Sequence, residues 1–218
     1  MLNEHDKAGA GAAPRGRGRP KVVADEVQQE RIVAQAFDLV CETGYAGMTM
    51  DAVAARCRIS KKTLYRLFPG KLALMGAVID RHRQSMIDIR PEYDALPLAE
   101  ALGGLFCVDL DEARNRERMS FIRVLMVDLM QFPELEQLVE SRGRSATHAL
   151  VVEWLERQQA LGRVRIEHAP TAARMLMDIA FGAHAARAGR DWAWPGFEDW
   201  RLYMRRAFVL FAEGARPR

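Results

Sequence analysis

The densest run of groups able to make directional polar contacts is Ser60-Lys61-Lys62-Thr63-Leu64-Tyr65-Arg66. Its ammonium, guanidinium, hydroxyl and phenol groups are suited to phosphate oxygens and to the edges of bases. Read as a helix, the run has two faces. Leu64 and Phe68, four apart, bury one side, so Lys61, Lys62, Thr63, Tyr65 and Arg66 face outward near the helix start. The bland explanation is a solvated charged face, and the surrounding elements must decide between the two.

Other chemistries lack their residues. Cys41, Cys57 and Cys107 are odd in number and widely spaced, which predicts reduced, mostly buried thiols. His82 sits on an apolar stripe, while His148 and His184 have no His or Glu at metal-ligand spacing, so no metal site is expected. No glycine-rich phosphate loop follows a strand, no G-x-S-x-G occurs, and no Ser/His/Asp or Cys/His set is spaced for catalysis. The expectation is a protein that is neither an enzyme nor a cofactor carrier.

The elements that would hold the polar run are helices. The chain has 218 residues, 49% hydrophobic and 28% charged, an ordinary globular composition with room for one or two domains. No apolar run approaches the ~18 residues of a membrane span, and the first residues lack a signal-peptide core, so a cytoplasmic location without membrane contact is expected. The net charge of +3 is unevenly spread: residues 1–71 carry +4 and the remainder −1. A polyanionic partner is therefore expected at the N-terminal end.

No segment alternates with period two, so the fold class is all-α. Ile32, Val33, Ala36, Phe37 and Val40 predict a first helix from Asp25 to Thr43, stopped by Gly44. Thr49 caps a short helix to Arg56, Ser60 caps another to Phe68, and Lys71 opens a long one that runs to Pro91. Further helices are expected over 98–110, 116–131, 134–160, 171–188 and 197–213. Two short capped helices joined by Cys57-Arg58-Ile59, on the floor of a longer one, have helix-turn-helix spacing.

The residues Arg31 to Phe37, Glu42-Thr43-Gly44-Tyr45, Thr49-Met50, Val53-Ala54 and Ile59 to Lys71 resemble the DNA-binding domain of TetR-family transcriptional regulators. The resemblance implies a helix-turn-helix in which Lys61 and Lys62 approach base edges, while Thr49, Thr63, Tyr65 and Lys71 hold phosphates. Ser60 and Arg66 complete the candidate surface. Two positions depart from the pattern: Arg58 stands where the family often has Gly, and Leu67 where it often has His or Tyr. The implied division is a basic arm over 1–22, a DNA-binding domain over 23–71 and a helical ligand-binding and dimerisation domain over 72–218. In the arm, Arg15, Arg17 and Arg19 alternate with glycine before Pro20, a pattern similar to an AT-hook that lies along a narrow minor groove.

Arg118 to Arg123 and Gln131 to Leu135 resemble the C-terminal domain of the AefR-like subgroup. Met86, Phe106, Met126, Met130 and Trp154 are candidates to line an apolar effector cavity, with core packing the competing reading. Asp128 lies off the polar stripe of its helix, so it should meet an arginine or a ligand polar group. Ile179, Gly182, Ala183, Phe208, Leu210 and Phe211 are expected at a two-fold interface, where the resemblance places TetR-family dimerisation. The function expected is a homodimeric, effector-released repressor on a palindromic double-stranded DNA operator. The rival is a helical carrier or small enzyme whose first helices merely pack.

Overall fold

The computed structural model describes residues 22–182 and 196–217, and every regular element among them is helical. Helix α1, Val22–Gly47, runs past the expected stop, but Gly44 breaks its geometry at φ 72° and ψ 177°. Helices α2, Met50–Cys57, and α3, Lys61–Leu67, start where the hydroxyls of Thr49 and Ser60 accept from the backbone N–H groups of Ala52 and Thr63, each at 3.1 Å. These caps supply acceptors for amides that have no partner inside the helix. Between α2 and α3, Arg58 adopts the left-handed conformation at φ 53° and ψ 45°, the region that favours glycine. Helix α3 ends one residue short of the expected Phe68, whose extended backbone leads into Pro69.

Helix α4, Lys71–Met86, stops short of Pro91. Ile87 turns extended and buries its side chain, and the Asp88 amide donates to the Leu105 carbonyl at 2.8 Å. The chain is already extended at Arg90, as a residue before proline prefers. A 3-10 turn at Pro91–Ala95 leads to α5, Leu98–Leu105, which ends before the expected Leu110. Helix α6, Glu112–Leu129, begins earlier than expected because Asp111 caps it, accepting from Arg114 N–H at 2.9 Å. The long helix expected over 134–160 is α7, Glu134–Leu138, a π-helical turn at Val139–Ser145, and α8, Ala146–Ala160. Helices α9, Ala169–Gly182, and α10, Phe197–Gly214, complete the described chain.

The buried side chains form two cores. One joins α1, α2 and α3 to α4, α6 and α7, through residues such as Ile32, Val53, Leu64, Met75, Val78, Phe121 and Leu135. The other joins α5, α8, α9 and α10, through Leu102, Phe106, Leu155, Leu176, Met204 and Phe208. Helix α4, placed by sequence in the second domain, therefore shares the core of the helix-turn-helix.

A buried carboxylate fixes the junction between α1 and α6. Asp128 is only 8% exposed, and its Oδ2 accepts the Tyr45 backbone N–H at 2.7 Å. This corrects the expected arginine or ligand partner: a carboxylate in packed surface is satisfied here by a main-chain donor freed at the Gly44 kink. Glycine is needed there twice, for its positive φ and because a Cβ would stand 3.3 Å from an Asp128 oxygen. The Tyr45 ring meets Phe132 edge-on at 5.1 Å, and the Lys71 ammonium lies 3.8 Å from the Tyr45 ring centroid. Asp128→Ala should lower folding stability by about 1–3 kcal/mol, since it leaves a buried amide without an acceptor. Urea denaturation of the parent, Asp128→Ala and Asp128→Asn checks this: the expected order is parent, Asn, Ala, and equal midpoints would show that the bond carries no weight.

Candidate nucleic-acid interface

Helix α3 lies at the surface because only one of its faces is apolar. Leu64 is completely buried beneath it and Phe68 closes its end, while Lys61, Lys62, Tyr65 and Arg66 are exposed and Thr63 is half-buried. The pose of α2 and α3 is set from α1. Arg31 donates to the Cys57 carbonyl at 2.7 Å, and Arg56 makes paired 2.6 Å bonds to Glu42 with a third to Gln35 at 3.2 Å. Arg66 donates to both oxygens of Asp25 at 2.6 and 2.9 Å. Each exposed pair contributes little alone, but the set fixes direction and register.

These contacts sort the outward residues. Arg66, expected to face a ligand, has its guanidinium committed to Asp25, an acidic residue near the start of α1 that sequence reading did not connect to it. Lys61 bonds Asp51 at 2.7 Å, which raises its pKa and keeps the ammonium charged. The Ser60 and Thr63 hydroxyls are 2.9 Å apart and serve the cap of α3. Lys71 sits over the Tyr45 ring with its ammonium 3.5 Å from the Ala46 carbonyl, and burial lowers its pKa. Among the described residues, Lys62 has no ion pair and the Tyr65 hydroxyl no hydrogen bond. The free donors of this face are therefore at its centre, flanked by Thr49 and Ser60 at the helix starts. Arg15, Arg17 and Arg19 lie outside the described residues.

A second feature lies behind this face. A cavity of about 540 Å³ opens among α4, α6, α8 and α9 and the π-helical turn, a volume suited to a small molecule. Of the expected lining, Met86 and Met126 are there, beside Phe121, Ile122, Leu125, Met177 and Phe181. The other four expectations are corrected. Phe106 and Trp154 are 1% and 3% exposed and fill the second core; Met130, after the end of α6, is 85% exposed; Asp128 holds Tyr45 instead. Sequence reading missed Arg83 in the wall, although it falls four residues after Ile79 and three before Met86 on the same helical face.

Of the residues expected at a two-fold interface, Phe208 is corrected: it is fully buried, 5.4 Å from Phe106 by ring centroids, because α10 turns Trp200, Met204 and Phe208 into the core of its own protomer. Leu210 is 70% exposed, Phe211 and Ile179 are half-buried, and Gly182 is exposed. Ala183 lies outside the described residues. The outward face of α10 also carries Leu202 and Val209, at 48% and 45% exposure. Among the described residues no cluster of metal-ligating side chains occurs, and no helix is long and apolar enough to cross a membrane.

Comparison with known proteins matches both halves of this arrangement. Residues 32–78 match the family described as bacterial regulatory proteins, tetR family, and residues 109–201 match the AefR-like transcriptional repressor C-terminal domain. An uncharacterized HTH-type transcriptional regulator of Mycobacterium tuberculosis, Rv1556, is 31% identical over 144 residues, covering 65% of this chain and 67% of the relative. The HTH-type transcriptional activator FasR of Mycolicibacterium smegmatis is 34% identical over 82 residues, 38% of this chain and 36% of that one. Among solved structures, a TetR-family regulator from Mesorhizobium loti superposes with a TM-score of 0.67 at 18% identity, covering 88% of this chain and 98% of the other. The Flavonoid-responsive Regulator FrrA gives a TM-score of 0.62 at 22% identity, with 88% and 99% covered.

Proposed function

The chain belongs to the TetR family of DNA-binding transcriptional regulators, and from that premise we propose that it represses transcription as a homodimer on a palindromic operator, released by a small apolar or amphipathic effector. The observation that carries the reading is α3 itself: a capped surface helix with its apolar side buried and the Lys62 and Tyr65 donors uncommitted at its centre. In this reading Lys61, Lys62 and Tyr65 meet the major groove. Thr49, Ser60 and Thr63 contribute hydroxyls to flanking phosphates, and Lys71 holds the turn from which they project. Arg15, Arg17 and Arg19 follow an A/T-rich minor groove beside the palindrome. Repression is favoured by the C-terminal match, whose description is that of a repressor domain.

Release follows from where α6 lies. Phe121, Ile122, Leu125 and Met126 of this helix line the cavity, and Asp128, half a turn further on, holds the end of α1. An occupant that shifts α6 therefore acts on the frame to which α2 and α3 are tied. A coupling of ~1–3 kcal/mol is sufficient for an effector response, about the worth of one buried hydrogen bond to a charged group.

Fluorescence anisotropy with a duplex selected from random-sequence DNA tests the interface. Lys62→Ala, Tyr65→Ala together should weaken binding about ten-fold or more, and the parent's affinity should fall steeply with salt, by about 0.9 in log slope per phosphate neutralised. Parental affinity in the double variant at moderate salt would remove α3 from the interface.

Dimerisation is assigned to α9 and α10, whose outward side carries Ile179, Gly182, Leu202, Val209, Leu210 and Phe211. Each recognition helix reaches few base pairs, so specificity requires a pair held about 34–36 Å apart or a multiple of it. Leu210→Glu should give folded monomers in sedimentation velocity, with weakened duplex binding, because a charge would be buried there without a counter-ion. A dimer as tight as the parent's would move the interface elsewhere.

A further inference from the structure

The wall of the cavity behind the helix-turn-helix is mostly apolar, its polar side chains being five charged groups, two histidines, Ser145 and Thr147. Most of its charge is cancelled locally. Arg144 pairs with Glu140 and Arg174 with Asp178, each at 2.9 Å. Arg83 is the exception: it has no ion pair among the described residues, and its Nε is buried without a hydrogen-bond partner. The wall thus carries one uncompensated positive charge. The side chain is half-buried, with the Nε donor shielded from water and the rest of the guanidinium reaching the open cavity, and its planar fork suits a carboxylate that would take up that donor.

A second unsatisfied group stands beside it. His82, adjacent in sequence and also in the wall, is 8% exposed, and its Nε2 has no hydrogen-bond partner. Its ring packs on Phe121 at 4.5 Å between centroids. Burial, with the neighbouring Arg118 charge, lowers its pKa to about 4, so near neutral pH the ring is an uncharged donor and acceptor. Around this polar corner the wall offers Met86, Ile122, Met126, Met177 and Phe181, which bind area rather than charge.

We infer that the occupant is a small monoanionic amphiphile: one carboxylate, received at Arg83 with His82 as a further hydrogen-bonding group, on a single apolar body lying along α6. One charge on the ligand matches the one free charge of the wall, whereas a dianion would carry a surplus and a cation would meet like charge. The inference rests on the proposal that this cavity is the effector site and specifies the chemistry that fills it.

Isothermal titration of the full chain at neutral pH tests it with matched probes, decanoate against 1-decanol and 2-naphthoate against 2-naphthamide. Within a pair, the acid should bind about ten-fold more tightly or better than its neutral partner. Arg83→Gln should bring that ratio close to one, and Arg83→Lys should keep part of it. Met126→Trp, which puts a larger side chain into the wall, should abolish binding of every probe that the parent takes up. Neutral partners binding the parent as tightly as the acids, with Met126→Trp removing both, would overturn the carboxylate assignment and leave the effector cavity in place. No binding of any probe by the parent, or binding indifferent to Met126→Trp, would overturn both. The comparison within the parent decides the matter even if an Arg83 variant fails to fold.

Discussion

The acceptance of the Tyr45 amide by the buried Asp128 carboxylate is the contact on which the remaining arrangement depends. A carboxylate excluded from water must find donors, and a hydrogen bond to a charged group contributes about 1.5–3 kcal/mol, more than the ~0–1 kcal/mol of an exposed ion pair. The bond exists because Gly44 takes a positive φ and has no side chain to hold α6 away. Everything that orients the helix-turn-helix then converges on α1: Arg31 to the end of α2, Arg56 to Glu42 and Gln35, and Arg66 to Asp25. One strong buried contact thus anchors a frame built from several weak exposed ones.

The same geometry explains why the two cores are not the two expected domains. Phe37 of α1 stacks on Phe121 of α6 at 5.1 Å, and His82 of α4 lies against the same ring. The helix-turn-helix core therefore reaches to the edge of the cavity. Helices α5, α8, α9 and α10 form the other body, with α10 anchored by Phe208 and leaving Leu202, Val209 and Leu210 outward. Helices α4 and α6 both touch cavity and frame, and α6 alone of the two also holds the Tyr45 amide through Asp128, which under the proposed function makes it the carrier of an effector signal.

Much of this was legible in the sequence because it is local. Caps at Thr49 and Ser60, the Leu64 and Phe68 spacing, and the Pro69-Gly70 stop are decided by residues within one or two turns of each other, and the structure follows them closely. The left-handed Arg58 was likewise visible, as a residue standing where such turns favour glycine. What sequence did not give is pairing at a distance. Asp25 and Arg66 are far apart in the chain, as are Tyr45 and Asp128, and nothing in one helix's period names its partner on another. Periodicity also could not say which of two apolar sides of α10 faces inward, so Phe208 was expected at an interface that its neighbour Leu210 fits better. Met86 and Met126 share the cavity while Trp154 does not, because membership depends on how helices cross rather than on residue type.

The central claim is that the α3 face meets DNA while the α1–α6 junction holds it in place. Backbone hydrogen exchange of the full chain, free and bound to a selected duplex, tests it most directly. The account predicts the largest added protection at residues 49–52 and 60–65, with a smaller gain at the Tyr45 amide. Unchanged exchange in those segments, with protection confined to residues 72–182 and 196–217, would contradict it.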